Sequence, residues 1–254
     1  MTTTIGRVLA TAEVLGRDLL RRRLALVMLV ALPVAFYAAT RWSEGGYAYT
    51  SGGMGISWSI AGAALYSALA ARPVDRRLVL DGYRPAELLA GRVVVLMAFG
   101  LSLALAFGAL MYGVAVPRDA MSLFVSLVLV AGIAVPFGLA IAALVPRELE
   151  GTLLLIGVVG IEMSLPSGSA LEGVMPFGGP HRLLALASGR HGGFAPPVLR
   201  AVAWSVLLLA LATAAWWERV HVTRHPRAVP HARHVGRVAL GLMAAGAIVL
   251  LALA

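Results

Sequence analysis

Seven apolar segments, each close to the length that crosses a bilayer, constrain the fold of this chain more than any other feature. They lie at Leu24–Thr40, Met54–Ala71, Val93–Val116, Ser122–Val145, Gly151–Leu165, Val198–Trp217 and Gly236–Ala254. A helix needs about 20 mainly apolar residues to span the hydrocarbon core. Only 13% of the 254 residues are charged, against about a quarter in soluble domains. We therefore predict an all-α, polytopic bundle of six to seven spans that forms one transmembrane domain over residues 1–254.

Two of these segments leave alternatives open. Gly151–Leu165 is short and contains Glu162, so it is either a broken or re-entrant helix or a span that continues past Pro166. The segment 236–254 has no polar anchor at its far end, so it either forms an extra span or does not cross the membrane. The number of spans is therefore six or seven.

The arginines indicate the orientation of the chain. All 21 basic residues are arginine, and lysine is absent. If the N-terminus is cytoplasmic, 16 arginines lie on the cytoplasmic side. Only five lie on the external side, namely Arg41, Arg118, Arg182, Arg190 and Arg200. Cytoplasmic loops of membrane proteins are enriched in basic residues. The pattern predicts a cytoplasmic N-terminus, and it argues against a nucleic-acid surface because the arginines are divided among separate loops.

The absence of lysine and cysteine excludes several chemistries. A phosphate-binding loop and a Schiff base need lysine, while thiolate metal sites and disulfides need cysteine. His221 and His225 are spaced for one helix face, but arginines surround them, which favours anionic lipid headgroups over a metal ion. We expect no catalytic residue, metal or cofactor in this chain, so it is not predicted to be an enzyme.

The N-terminal residues 1–23 form a distinct segment. Apolar residues recur there at helical spacing from Ile5 to Leu20, and charged residues occupy other positions. This pattern predicts an amphipathic helix in the cytoplasmic interface. The alternative is a simple extension of the first span.

The longest well-charged connection between spans is 72–92. Its sequence predicts a short helix over Asp75–Leu80 that stops at Gly82, and a second helix in which Pro85 occupies the first turn. Leu78, Leu80 and Tyr83 add apolar surface to this charged hairpin. It is therefore either a docking element for a partner or a solvated turn.

The segment 166–200 is predicted to be external. Its five prolines and many glycines indicate mostly loop, with one short helix at His181–Ser188.

A few polar residues lie within the apolar segments. Glu162 could bind a cationic part of a substrate or carry a proton, or it could be hydrated near the outer surface. No second acidic residue within a span is evident to complete a proton relay. Ser57 and Trp58 make the second span polar and aromatic, so this helix lines a cavity or belongs to an interfacial aromatic belt.

This layout resembles the ABC-2 type permease family, the membrane subunits of bacterial ATP-driven exporters. The stretch from Asp75 to Arg92 is similar to the coupling-helix region of that family. A charged turn comes before Pro85, and Leu88-Leu89-Ala90-Gly91-Arg92 leads into the next span. The N-terminal helix and the proline-rich segment before the sixth span fit the same arrangement.

The resemblance implies a multi-pass permease in the bacterial plasma membrane that forms the substrate pathway of an exporter. It implies pairing with a second permease, as a homodimer or heterodimer, and with a separate ATP-binding subunit that holds ATP and Mg. The ATPase-coupling contacts it implies are Asp75, Arg76, Arg77, Leu80, Tyr83 and Arg84. The residues it implies for the substrate path are Ser57, Trp58 and Glu162.

Two other hypotheses remain open. The chain could be a non-transporting scaffold or sensor that binds a cytoplasmic or lipid partner through its arginine-rich loops. It could also be a stand-alone secondary carrier, which the scarcity of buried ion-coupling residues disfavours. The transported substrate is not indicated by the sequence.

Overall fold

A computed structural model describes residues 4–42, 47–145, 147–165 and 169–224. All regular secondary structure within these ranges is helical. The helices are α1 (Thr4–Arg21), α2 (Arg23–Thr40), α3 (Tyr47–Ala70), α4 (Arg72–Leu80), α5 (Pro85–Val114), α6 (Ala120–Leu144), α7 (Glu148–Ser164), α8 (Ala170–Val174), α9 (Gly178–Ala187) and α10 (Ala195–Arg224).

Five of the described helices are long and apolar enough to cross a membrane, namely α2, α3, α5, α6 and α10. These helices are compatible with a multi-pass membrane protein. The fifth expected span corresponds to α7, which has 17 residues and is not one of the five. The expected seventh segment, 236–254, lies outside the described residues.

Helices α3 and α6 form the centre of the bundle. In each of them, 78% of the residues in an apolar stretch of 18 residues are buried. The two helices approach closely at Gly138, where a Cβ atom would clash with the carbonyl oxygen of Ala61. Helix α2 joins this core at Gly55, where a Cβ atom would lie 2.6 Å from Cα of Pro33. Small residues at such crossings allow membrane helices to pack backbone to backbone.

Hydrogen bonds between distant residues show which helix termini lie at the same end of the bundle. At one end, Arg72 Nη2 donates to the carbonyl oxygens of Ala142 and Val145, both at 2.7 Å. At the other end, Tyr49 Oη donates to the carbonyl oxygen of Ala115 at 2.7 Å. We call the first the hairpin end, since α4 and the start of α5 lie there, and the second the opposite end.

The segment after α7 is more helical than its prolines suggest. Pro180 lies in the first turn of α9, and Pro196 and Pro197 lie in the first turn of α10. In a first turn the missing N–H of proline costs nothing, because that N–H has no partner within the helix. These prolines therefore lie at the starts of helices. The prediction of mostly loop underestimates the helix content of this segment, which contains α8, α9 and the start of α10.

Helix α1 is separate from the first apolar helix. The backbone of Arg22 leaves the helical region, with φ −82° and ψ 60°, and α2 begins at the next residue. The residues 4–21 thus form a helix of their own rather than a continuous extension of α2.

Candidate functional site

The hairpin, residues 72–92, is built by the turn between α4 and α5. Gly82 has a φ of +92°, a conformation that glycine adopts at low cost after a helix. The amides of Gly82 and Tyr83 donate back to the carbonyls of Val79 and Leu78. Helix α5 then begins at Pro85, and Glu87 accepts a hydrogen bond of 3.0 Å from the amide of Arg84.

The base of the hairpin is tied to the bundle by a buried ion pair. Nη2 of Arg92 lies 3.1 Å from both carboxylate oxygens of Asp75, and Arg92 is only 1% exposed. The guanidinium carbon of Arg92 also lies 4.9 Å from the ring centroid of Trp216. Three helices, α4, α5 and α10, therefore meet at one charge, which sets the angle at which the hairpin leaves the bundle.

Burial changes the acidity of Asp75. The loss of hydration raises the pKa of the Asp75 carboxyl, although the charge and hydrogen bond of Arg92 act to lower that pKa. Removing a carboxylate from water disfavours its charged form. Asp75 is thus an internal anchor of the hairpin.

The other predicted coupling residues lie nearer the hairpin surface. Arg76, Arg77 and Arg84 are exposed, and Leu80 is 84% exposed. Tyr83 is half-buried because the guanidinium carbon of Arg7 lies 5.4 Å from its ring centroid. The exposed set forms a basic tip with one apolar side chain.

Helix α1 is fastened to this hairpin. Arg7 Nη1 donates to the carbonyl oxygen of Gly82 at 3.2 Å and lies 3.7 Å from Glu87 Oε2. Further along, α1 crosses α5 at Gly91, where a Cβ atom would lie 2.9 Å from both Thr11 Cβ and the carbonyl oxygen of Val8. Helices α1 and α5 therefore pack closely at this point because Gly91 has no side chain.

A large apolar groove opens beside the hairpin. Its volume is 1590 Å³, and its walls come from α1, α2, α3, α4, α5 and α7. Met28, Tyr66 and Ile156 line it and are each more than 40% exposed, so the groove is open to its surroundings. The volume exceeds the roughly 300–1,000 Å³ of ordinary small-molecule pockets.

Of the predicted path residues, the structure places only Trp58 in this groove. The Nε1 atom of Trp58 and the hydroxyl of the adjacent Ser59 are buried in its wall without a hydrogen-bond partner among the described residues. Ser57 faces elsewhere, and its hydroxyl donates to the carbonyl oxygen of Gly53 at 3.0 Å. The structure therefore does not bring Ser57, Trp58 and Glu162 together.

Glu162 belongs to a buried polar cluster at the opposite end, formed with Glu172, His181, Arg182 and Arg200. Glu162 and Glu172 are both 0% exposed and close enough to interact electrostatically. The backbone amide of Phe177 faces the Glu162 carboxylate, but neither oxygen has a well-formed hydrogen bond to a described residue. A second carboxylate thus lies beside Glu162. It belongs to α8 and therefore lies outside the predicted spans.

Glu172 is surrounded by basic groups. Nδ1 of His181 lies 3.0 Å from Oε1 of Glu172, and Nε of Arg182 lies 3.3 Å from Oε2. Arg200 is buried beside Gly173. Within the described ranges no group of three His, Cys, Asp or Glu side chains could hold a metal ion.

Sequence reasoning missed Arg92 and Glu172 as structural charges. From the sequence, Arg92 is predicted only as one of the cytoplasmic arginines that indicate orientation, and Glu172 lies in a segment predicted to be mostly loop. A signal for Arg92 was present, since it follows Asp75 by 17 residues across a predicted hairpin. No local pattern marks Glu172, because its partners lie on the next helix.

No protein-family model matches the chain, and no curated protein matches it.

Proposed function

We propose that this chain is the membrane-spanning permease subunit of an ATP-driven exporter and that it couples to a separate ATP-binding subunit. The observation that carries this proposal is the hairpin. A charged helix, α4, projects exposed Arg76, Arg77 and Leu80, while its root is fixed to two long apolar helices through Arg92 and Trp216. A contact of this kind transmits a push at the tip to the helices rather than absorbing it in a loop.

The charge distribution supports the same assignment. The hairpin end carries the arginine-rich termini of α1, α2, α4 and α5, as expected for a cytoplasmic face. An ATP-binding subunit is cytoplasmic, so it would meet this end. In this arrangement α7 is a sixth, short span, α1 lies in the cytoplasmic interface, and the opposite end faces outward in a bacterial plasma membrane.

The absence of lysine makes the partner necessary to the proposal. The phosphate-binding loop of ATP-binding subunits uses a lysine, and this sequence contains none. ATP and Mg would therefore be held by the partner chain. Two permease subunits, identical or related, would complete the pathway, and closure of the ATP-binding pair would move them as rigid bodies.

Purification from native membranes in a mild detergent tests the proposal. We expect the tagged chain to retain a polypeptide with Walker A and B motifs, and we expect this complex to hydrolyse ATP. The variant Arg76→Ala/Arg77→Ala should release that polypeptide or lower the ATPase rate at least several-fold, while still inserting into the membrane. The charge-preserving variant Arg76→Lys/Arg77→Lys should retain part of the activity.

The matched control removes two exposed arginines from the opposite end, Arg118→Ala/Arg190→Ala, and should leave the complex intact. Retention of a partner that does not bind ATP would favour the scaffold alternative. Equal loss of the partner in both double variants would show that net charge, and not the hairpin, is responsible. Either result would overturn the proposal.

A further inference from the structure

We infer that the groove is a binding site for a lipid-like molecule with an anionic headgroup and an apolar chain. This inference rests on the proposed function, since it names the class of substrate that the permease would take up. It depends on three properties of the groove, namely its polarity, its depth and the charge at its rim.

The walls of the groove are mainly apolar. On the α2 side they are formed by Ala25, Met28, Leu29, Leu32 and Ala35. On the facing side they include Gly62, Ala63, Leu155 and Ile156. Such walls favour a hydrocarbon chain, because burial of apolar surface is stabilising and these residues offer no hydrogen-bond partner from their side chains.

The depth of the groove fits one leaflet. On α2 its lining runs from Arg22 to Ala35, which is about 20 Å along a helix axis. The hydrocarbon of one leaflet is about 15 Å thick, so this length accommodates an acyl chain together with the start of a headgroup. The deep end reaches Trp58, whose ring contacts Phe36 edge-on at 4.9 Å between centroids.

The rim of the groove is basic. Arg17, Arg21 and Arg22 line it at the hairpin end, and a smaller adjoining cavity of 480 Å³ is lined by Arg17, Leu20, Arg21 and Arg23. We call these four arginines the arginine rim. A row of guanidinium groups at the depth of the lipid headgroups attracts anionic lipids.

Carboxylates reduce this charge without cancelling it. Asp18 pairs with Arg22 at 3.1 Å, and Glu13 pairs with Arg17. Glu148 lies on the far wall of the groove. No described carboxylate lies within ion-pair distance of Arg21 or Arg23, so the rim retains positive charge for a phosphate group.

Quenching of Trp58 fluorescence by brominated lipid tests the inference. The purified full chain is placed in nanodiscs of unlabelled phosphatidylcholine that contain a small fraction of a lipid brominated on its acyl chain. The signal of Trp58 is the difference between the wild type and Trp58→Phe. We expect brominated phosphatidylglycerol to quench this signal at a lipid fraction at least tenfold lower than brominated phosphatidylcholine.

Two variants separate the headgroup from the chain. Arg21→Ala/Arg22→Ala should lower the preference for the anionic lipid about tenfold or more, because it removes two guanidinium groups from the arginine rim. Gly62→Leu should reduce quenching by both lipids because its side chain fills the groove; a Cβ atom there lies 3.9 Å from Leu155. Arg76→Ala/Arg77→Ala, on the hairpin tip, should keep the wild-type preference.

Three results would overturn the inference. Equal quenching by the two lipids would show that the rim does not select charge, and the absence of Trp58-dependent quenching would show that the groove is closed to lipid, for instance by a second copy of the chain. Displacement of the lipid by soluble glycerol phosphate would show a headgroup site without a chain site. Should Arg21→Ala/Arg22→Ala fail to fold, the variant Arg21→Lys/Arg22→Lys must keep the preference.

The assay contains neither ATP nor a partner subunit, so its outcome is independent of the permease proposal. A lipid site without a co-purifying ATPase would leave this inference standing and remove its transport context. A co-purifying ATPase without lipid binding would do the reverse.

Discussion

The two ends of the bundle bury charge in different ways. At the hairpin end, opposite charges face each other, with Arg92 held between Asp75 and the ring of Trp216. At the opposite end, two carboxylates lie close together, and the basic groups surround only Glu172. The first arrangement fixes one geometry, whereas in the second one carboxylate, Glu162, is without a basic partner of comparable proximity among the described residues.

This difference indicates which end has one fixed geometry and which end is adjustable. A buried pair of opposite charges is costly to separate, because each charge would remain in a medium of low polarity. Two neighbouring buried carboxyl groups cannot both carry a charge at low cost, so changing the one without a basic partner costs less. The following three variants test this contrast, from the largest expected effect to the smallest.

Arg92→Ala should be the most destabilising of these changes. It leaves the buried Asp75 carboxylate without its partner and removes the contact with Trp216, so we expect a loss of about 3 kcal/mol in the free energy of unfolding. Reversible unfolding in mixed micelles measures this loss. The exposed Arg76→Ala on the same hairpin is the control and should change the free energy by less than about 0.5 kcal/mol.

If Arg92→Ala is no more destabilising than Arg76→Ala, the ion pair does not hold the hairpin. A double variant, Asp75→Asn/Arg92→Met, sharpens the result. It removes both charges together and should recover part of the loss, since no unpaired charge then remains.

Glu172→Gln and Glu162→Gln compare the two carboxylates at the opposite end. Glu172→Gln weakens the contacts with His181 and Arg182, and we expect it to lower the free energy of unfolding by about 2 kcal/mol. Glu162→Gln replaces a buried carboxyl group that has no basic partner at comparable distance among the described residues, so it should lower the free energy of unfolding much less, or even raise it. The same unfolding assay measures both, and an equal loss in the two variants would contradict the distinction.

The pH dependence of stability should have opposite signs at Asp119 and Asp75. Asp119 caps α6 and accepts hydrogen bonds from the amide and hydroxyl of Ser122, which lower the pKa of its carboxyl. Its contribution is therefore present above the unfolded pKa of about 3.9 and is lost as the pH falls through the lowered folded pKa. At neutral pH, Asp119→Ala should cost about 1 kcal/mol.

Asp75 behaves in the reverse sense. Its raised pKa means that the folded state binds the proton more tightly than the unfolded state. The associated stability is present below about pH 3.9 and is lost as the pH rises through the folded pKa. Melting temperatures of the wild type, Asp119→Ala and Asp75→Asn between about pH 3 and 7 measure both trends, and parallel curves for the two variants would contradict them.

The parts of this fold that were predictable are those that neighbouring residues decide. The apolar stretches that became α2, α3, α5, α6 and α10 were found from composition over about 20 residues, and the turn at Gly82 followed from glycine and proline alone. The rest depends on distant residues. The pairing of Asp75 with Arg92 requires the hairpin to fold back, and Glu162 lies near Glu172 only in the folded arrangement of α7 and α8.

The groove was not predictable for the same reason. Its walls come from six helices, and none of their sequences marks a cavity by itself. Trp58 is predicted to line a cavity because its apolar segment has an unusual polar and aromatic content, which is a local signal. Ser57 has the same signal, but the helix turns it towards its own backbone.

The crossing at Gly91 makes α1 a lever. We place its pivot at Thr11, whose Cβ atom packs directly on Gly91 beside the carbonyl oxygen of Val8. The short arm runs about 6 Å to Arg7, which grips the hairpin turn at Gly82, and the long arm runs about 15 Å to Arg21 at the mouth of the groove. A displacement of the hairpin tip would therefore reappear at the groove in the opposite direction and enlarged about 2.5-fold.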